Sequence, residues 1–284
     1  MAARWMVGST DTQVLVTRDG LHWGVDLDEA VDLSIYLFGG FEPDVRRALT
    51  TLLAPGMITL DIGANVGSHA LHMARLVRPG GRVYAFEPTI YAMSKLRRNV
   101  ELNPWASDIV VPIHAFVGDA QTTPPAAVYS SWDLEHLELG HRDHGGQLKS
   151  AAGAEAITID AFVQRMALDR LDLIKIDVDG YETNVVRGAV DTLRRLRPYI
   201  LLELCEYTLA EGGSSVRELT GALAELGYSF QSTRMRGLPG DPASLAKRVP
   251  HRGIMNVVGV PPTDSSSAAT RDDSSAVHAR RRSA

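Results

Sequence analysis

Short, almost continuously apolar runs recur along the chain, separated by segments whose apolar residues return every three or four positions. The runs Met57–Ile62, Arg82–Phe86, Asp108–Val117, Leu171–Val178 and Tyr199–Cys205 predict strands. The segments Asn65–Val77, Thr89–Asn103, Tyr181–Leu196 and Ser215–Leu226 predict helices, two of them closed by Pro79-Gly80-Gly81 and Pro198. Strands that are apolar on both faces and alternate with helices predict an α/β fold with a parallel sheet covered on both sides. Tyr228–Ser232 and Ile254–Val260 read as two late strands, an antiparallel pair at the sheet edge.

Ahead of this rhythm, residues 13–27 read as two short strands joined at Asp19-Gly20, a dipeptide suited to a tight hairpin. Glu42-Pro43 then opens a helix with the stripe Val45, Leu49, Leu52 and Leu53, ended by Pro55-Gly56. Residues 1–50 are therefore expected to cap a main domain spanning 51–260. Within it, residues 118–155 break the rhythm with Pro124-Pro125, Gly145-Gly146 and the histidines His136, His141 and His144. A stretch of that length with weak periodicity is expected to be a lid or a substrate-binding segment. Residues 261–284, rich in Ser, Ala and Arg, are expected to be a disordered tail.

Composition narrows the function. The 284 residues are 45% hydrophobic and 22% charged, with net charge −5. That balance argues against a nucleic-acid grip made by bulk positive charge and favours a small-molecule partner. Cys205 is the single cysteine and lies in an apolar run, so it is read as core packing, with no intrachain disulfide and no Cys-based metal cage. No stretch reaches membrane-spanning length, and the N-terminus shows no secretion signal, so the expected location is the cytoplasm. A homodimer is compatible with these patterns.

The chemistry concentrates in "LDIGANVGSHAL", residues 60–71. Gly63 and Gly67 bracket a turn between a strand and a helix, Asp61 precedes it, and Glu87 ends the next strand. Glycine lets a ligand approach the backbone, and an acid at the end of the second strand is placed to accept both hydroxyls of a ribose. The closely spaced G-x-G pair that cradles a pyrophosphate is missing, and Asp61 would repel one. The pattern suits S-adenosylmethionine, which carries a sulfonium, an ammonium group and a ribose but no phosphate. An NAD-dependent oxidoreductase and a non-catalytic cofactor-binding protein are the competing functions.

Three blocks, "LDIGANVGSHAL", "VYAFEP" (83–88) and "ITIDAF…LDLIKIDVDGYETNVVRGA" (157–189), resemble the FkbM family of S-adenosylmethionine-dependent methyltransferases. The third departs from the family at Asp179, where a Glu is usual. The resemblance implies a Rossmann-like, seven-stranded, mostly parallel sheet of the class I methyltransferase type, and methyl transfer to a hydroxyl of a secondary metabolite or sugar. It implies that Asp61, Gly63, Asn65, Gly67 and Glu87 line the cofactor site, with Asp119 near the adenine.

Methylating an alcohol requires alignment, exclusion of water and removal of a proton. On the fourth main strand Leu173, Lys175 and Asp177 share one side, which brings Asp177 to the carboxyl end beside the cofactor. Asp179 and Glu182 follow over the same crevice. Glu182 also suits charge compensation at a helix N-terminus. A buried Lys175 needs a partner, and Glu203 on the next strand is the expected one, either as a structural pair or to poise a proton acceptor. His136 is a further candidate base, with His141 and His144 in the same segment. Asp177, Asp179 and Glu182 offer hard oxygen ligands that a magnesium ion would accept, although no metal is required.

Overall fold

A computed structural model describes residues 12–134 and 146–263. Strands β1 (Gln13–Arg18) and β2 (Leu21–Asp26) form a hairpin, with Asp19 and Gly20 both in the left-handed region, as the Asp-Gly turn requires. Leu21, Trp23 and Val25 of β2 are buried together with residues of α1 (Ala30–Phe38) and α2 (Pro43–Leu52).

β3 (Ile58–Ile62) leads through the glycine turn into α3 (Ser68–Val77), then to β4 (Arg82–Phe86), α4 (Ile90–Glu101) and β5 (Val110–Ile113). Helix α3 starts three residues later than the apolar spacing predicts, because Asn65 (φ 49°) and Gly67 (φ 91°) are left-handed. Thr89 caps α4 by accepting the Ala92 N–H at 3.2 Å.

The apolar run 108–117 divides at His114. Its second part, β6 (Ala115–Val117), leaves the main sheet and pairs in parallel with β9 (Glu155–Ile157). Between them β7 (Ala127–Ser131) and β8 (Gln147–Ser150) form an antiparallel pair. After α5 (Ile159–Arg165) and β10 (Leu173–Ile176), the helix expected over 181–196 is two pieces, α6 (Glu182–Arg187) and α7 (Val190–Leu196). The break has a cause: a Cβ on Gly188 would lie 2.1 Å from the Gly118 carbonyl oxygen, so the chain crosses there only at a glycine. β11 (Tyr199–Cys205), α8 (Glu206–Glu211), α9 (Val216–Glu225), β12 (Ser229–Ser232), α10 (Pro242–Ala246) and β13 (Ile254–Val260) complete the order.

The main sheet has seven strands in the order β12-β13-β11-β10-β3-β4-β5, all parallel except β13. This is the mostly parallel, Rossmann-like arrangement expected, with helices on both faces. β12 and β13 form the expected antiparallel pair at the sheet edge, β13 lying between β11 and β12. One face buries Ile62, Ile174, Ile176 and Leu202 against Phe162 and Val185. The other buries Leu173, Leu201, Val83 and Val258 against Leu49, Met73 and Leu96. Period-two alternation puts Asp61 and Lys175 on the second face, among apolar neighbours. Among the described residues, no helix is long and apolar enough to cross a membrane.

Candidate active site

The strand order reverses between β3 and β10, and a crevice opens at their carboxyl ends, where open α/β sheets hold ligands. A cavity of about 550 Å³ occupies it. Its floor is Ile62–Asn65, its walls include Phe86, Phe116, Val117, Tyr129 and Tyr207, and six acids line it: Glu42, Glu87, Asp177, Asp179, Glu203 and Glu211.

Gly63 sets the floor. Its φ is 80°, and a Cβ there would stand 1.8 Å from the Asp177 carbonyl oxygen. Glycine is thus required by the close approach of the ends of β3 and β10 as well as by the backbone angle. Gly67, the second glycine of the turn, is outside the cavity lining; a Cβ on it would meet Leu96 at 2.6 Å.

Glu87 is buried and held from three sides. One carboxylate oxygen accepts the Thr89 N–H at 2.9 Å, the Thr89 hydroxyl at 2.6 Å and the Ser130 hydroxyl at 3.3 Å. The other accepts the Asn65 N–H at 3.1 Å. Burial raises its pKa, and these hydrogen bonds oppose the rise. The side chain enters the cavity already oriented.

Beneath the cavity lies a charge array. Lys175 Nζ is 2.9 Å from Asp177 Oδ2 and 3.7 Å from Asp61 Oδ1. Burial alone would lower the Lys175 pKa; the charges of Asp177, Asp61 and Glu42 push it up instead. The expected partner, Glu203, is not used. Lys175 is level with Leu201 on β11 and with Asp61 on β3, so Glu203 falls two residues beyond it, level with Asp177. Asp61 was expected to line the cofactor site; it is fully buried below the cavity, and neither of its oxygens has a hydrogen-bond partner among the described residues. Its counter-charge there is Lys175, 3.7 Å away.

Glu182 turns away from the cavity. Its carboxylate accepts the Val178 N–H at 3.1 Å and the Gly180 N–H at 3.1 Å, tying down the loop after β10. Burial raises its pKa to about 7 against those bonds. A carboxyl whose folded pKa exceeds its unfolded value of 4.5 contributes stability below pH 4.5 that is lost as pH rises through 7. Glu182→Gln is therefore expected to gain about 3 kcal/mol on the wild type between pH 4.5 and 8 in urea melts. A constant difference across that range would contradict this environment for Glu182.

Asp119 is outside the cavity lining. It closes its own turn, accepting the Gln121 N–H at 2.9 Å, the Thr122 N–H at 2.7 Å and the Thr122 hydroxyl at 2.6 Å, with Asn184 donating at 3.3 Å. His136, His141 and His144 lie outside the described residues. Among the described residues, no group of three or more His, Cys, Asp or Glu side chains is arranged to hold a metal ion, and Glu182 is not free to join Asp177 and Asp179 in one.

Among the cavity residues that escaped the sequence reading are His69 and Glu42. His69, in the first turn of α3, is buried with its Nε2 3.0 Å from Glu42 Oε2. Burial would raise the Glu42 pKa, but its hydrogen bond to His69, the His69 charge, Lys175 and Asn256 bring it down to about 2. The signal was present: His69 is the second residue after Gly67 and, with Ser68, faces the crevice at the helix N-terminus.

Residues 61–230 match the sequence profile described as the methyltransferase FkbM domain. The chain belongs to the FkbM methyltransferase family. The 2-O-methyltransferase NoeI of Sinorhizobium fredii is 28% identical, over 69% of this chain and 83% of that one. The hexuronic acid methyltransferase AglP of Haloferax volcanii is 23% identical, over 68% and 72%. Among solved structures, an O-methyltransferase from Bacillus cereus in complex with SAH superposes with a TM-score of 0.46 and 17% identity, over 78% of this chain and 82% of that one. As a member of that family this chain is an S-adenosylmethionine-dependent methyltransferase, and the cavity suits that donor. Among the described lining residues the groups able to carry positive charge, Lys175 and His69, are both engaged by carboxylates. A pyrophosphate would find no counter-charge, whereas a sulfonium and an ammonium would.

Proposed function

We propose that this FkbM-family enzyme methylates a hydroxyl group of a small molecule, a sugar or a secondary metabolite. The observation that carries this is the cavity itself: acids without free cations at the carboxyl ends of β3, β10 and β11, walled by Phe86, Phe116 and Tyr207. S-adenosylmethionine supplies a methyl already activated by positive sulfur. Glu87 would hold its ribose hydroxyls, and Gly63–Asn65 would support its amino-acid end. Asp177 faces the same space, its charge balanced by Lys175. The names of the two relatives, a 2-O-methyltransferase and a hexuronic acid methyltransferase, support an oxygen target and a sugar acceptor.

Net charge −5 supports a small-molecule rather than a nucleic-acid acceptor. A cytoplasmic enzyme fits a chain whose single cysteine, Cys205, is free and buried. Leu15, Leu37 and Phe38, exposed on the N-terminal hairpin and the end of α1, give a homodimer an apolar face.

Incubation with donor labelled on the transferred methyl and a panel of hydroxylated sugars and metabolites is expected to put label into base-stable ether linkage. Label on nitrogen or in a base-labile ester would contradict an alcohol acceptor. Glu87→Ala is expected to weaken S-adenosylmethionine binding about 10- to 100-fold by calorimetry, the loss of charge-assisted hydrogen bonds to two hydroxyls. Unchanged affinity would remove Glu87 from the ribose site.

A further inference from the structure

Resting on the methyltransferase reading, we infer that Glu203 is the proton acceptor at the point of methyl transfer. Sequence spacing assigned this side chain to Lys175, but Lys175 is taken by Asp177 and Asp61. Glu203 is left lining the cavity at 8% exposure, and among the described residues nothing donates a hydrogen bond or an ion pair to it. A carboxyl that deep, without a partner and open to a ligand cavity, is costly to the fold unless a ligand uses it.

Its place on the sheet fits the role. Glu87 follows β4 and Glu203 lies two residues before the end of β11, strands three positions apart with β3 and β10 between. At roughly 4.8 Å per strand that is about 14 Å. A ribose on Glu87, the activated methyl over β3 and β10, and an acceptor oxygen fill such a span in series, and put the acceptor hydroxyl beside Glu203. Asp177, which follows β10 level with Glu203, already has its carboxylate engaged by Lys175 at 2.9 Å.

The charged groups around Glu203 are nearly all negative. Asp177 at the end of β10, Asp179 in the following loop, Glu182 at the start of α6 and Glu42 at the start of α2 all oppose its ionisation, with Lys175 already paired. Tyr207 and Glu211 on α8 line the same space. Burial first, and then these acids, raise the Glu203 pKa well above the usual carboxylate range, toward the basicity that proton removal from an alcohol needs. In the step, the acceptor oxygen bonds to the methyl carbon as the carbon–sulfur bond breaks. The bonding pair stays on sulfur, leaving a neutral thioether, and the hydroxyl proton passes to Glu203, which releases it to water after the product departs.

Two cofactor analogues test the assignment without an acceptor. S-adenosylhomocysteine lacks the methyl and its positive charge; sinefungin carries an ammonium-bearing carbon where the methyl sulfonium belongs. By calorimetry at pH 8, the wild type is expected to prefer sinefungin by about tenfold or more, the worth of one well-placed charge. Glu203→Gln is expected to bring that preference near parity while S-adenosylhomocysteine affinity stays within about twofold. Acidification is expected to erase the wild-type preference as Glu203 gains its proton. Because the substitution removes an uncompensated buried charge at constant shape, thermal unfolding should come no earlier than in the wild type, and Glu203→Asp gives an intermediate preference. An undiminished preference in Glu203→Gln, or equal weakening of both analogues, overturns the assignment. Failure of the wild type to bind either analogue overturns the methyltransferase reading itself, and this assignment with it.

Discussion

Lys175→Met is expected to destabilise the protein by about 3–5 kcal/mol, a large share of a typical domain's stability. Lys175 is 3% exposed and stands 3.7 Å from Asp61, which is fully buried and has no hydrogen bond to fall back on. Methionine fills the same space but leaves the Asp61 charge among Leu173, Leu201 and their neighbours with no counter-ion. Asp177 is less exposed to the loss, since 27% of its side chain is open to the cavity and water can solvate it. The double variant Asp61→Asn/Lys175→Met removes both charges and is expected to recover most of the lost stability. Chemical denaturation of the single and double variants measures this directly. Equal stability of Lys175→Met and wild type, or no recovery in the double variant, would show that the pair does not hold the floor of the site.

Gly63→Ala is expected to abolish donor binding, with at least about a 100-fold loss of affinity, and to cost about 3 kcal/mol or more of stability. Two effects combine. A non-glycine residue at φ 80° is strained by roughly 1–2 kcal/mol, and the new Cβ meets the Asp177 carbonyl oxygen at 1.8 Å. That oxygen belongs to backbone that cannot rotate away, so the ends of β3 and β10 must separate and carry Asp177 with them. Gly56→Ala isolates the first effect: its φ is 85° and nothing lies within 4 Å of the new Cβ. It is expected to cost about 1–2 kcal/mol and to leave binding intact. If Gly63→Ala behaves like Gly56→Ala, the close approach of the two strands is not what shapes the cavity.

The alternation of apolar strands and helices was plain in the sequence, because parallel strands buried on both faces cannot hide their composition. So were the glycine turn and the acid after β4, since a glycine between a strand and a helix and an acid closing the next strand stand out in the local sequence, even though the contacts that require Gly63 come from β10. What escaped the sequence depends on register and on crossings between distant segments. Lys175 and Glu203 are correctly on neighbouring strands, yet their two-residue offset appears only once the β10–β11 register is known. The same offset is what leaves Glu203 to the cavity. Asp61 reads like a ligand-facing acid by motif, but alternation buries it beneath the sheet's carboxyl end. The break between α6 and α7 follows from the chain passing Gly188 at residue 118, a contact 70 positions away that no local pattern encodes. Glu42 and His69 meet across 27 positions for the same reason.

In the proposed function a positively charged sulfur donor, rather than a phosphate-bearing coenzyme, binds over Gly63 between Glu87 and Asp177. Calorimetric titration of the purified full chain with S-adenosylmethionine and, separately, with NAD tests it most directly. Saturable heat at one site per chain with S-adenosylmethionine, and none with NAD, is the predicted result. Saturation by NAD, or silence toward S-adenosylmethionine from folded protein, would contradict it.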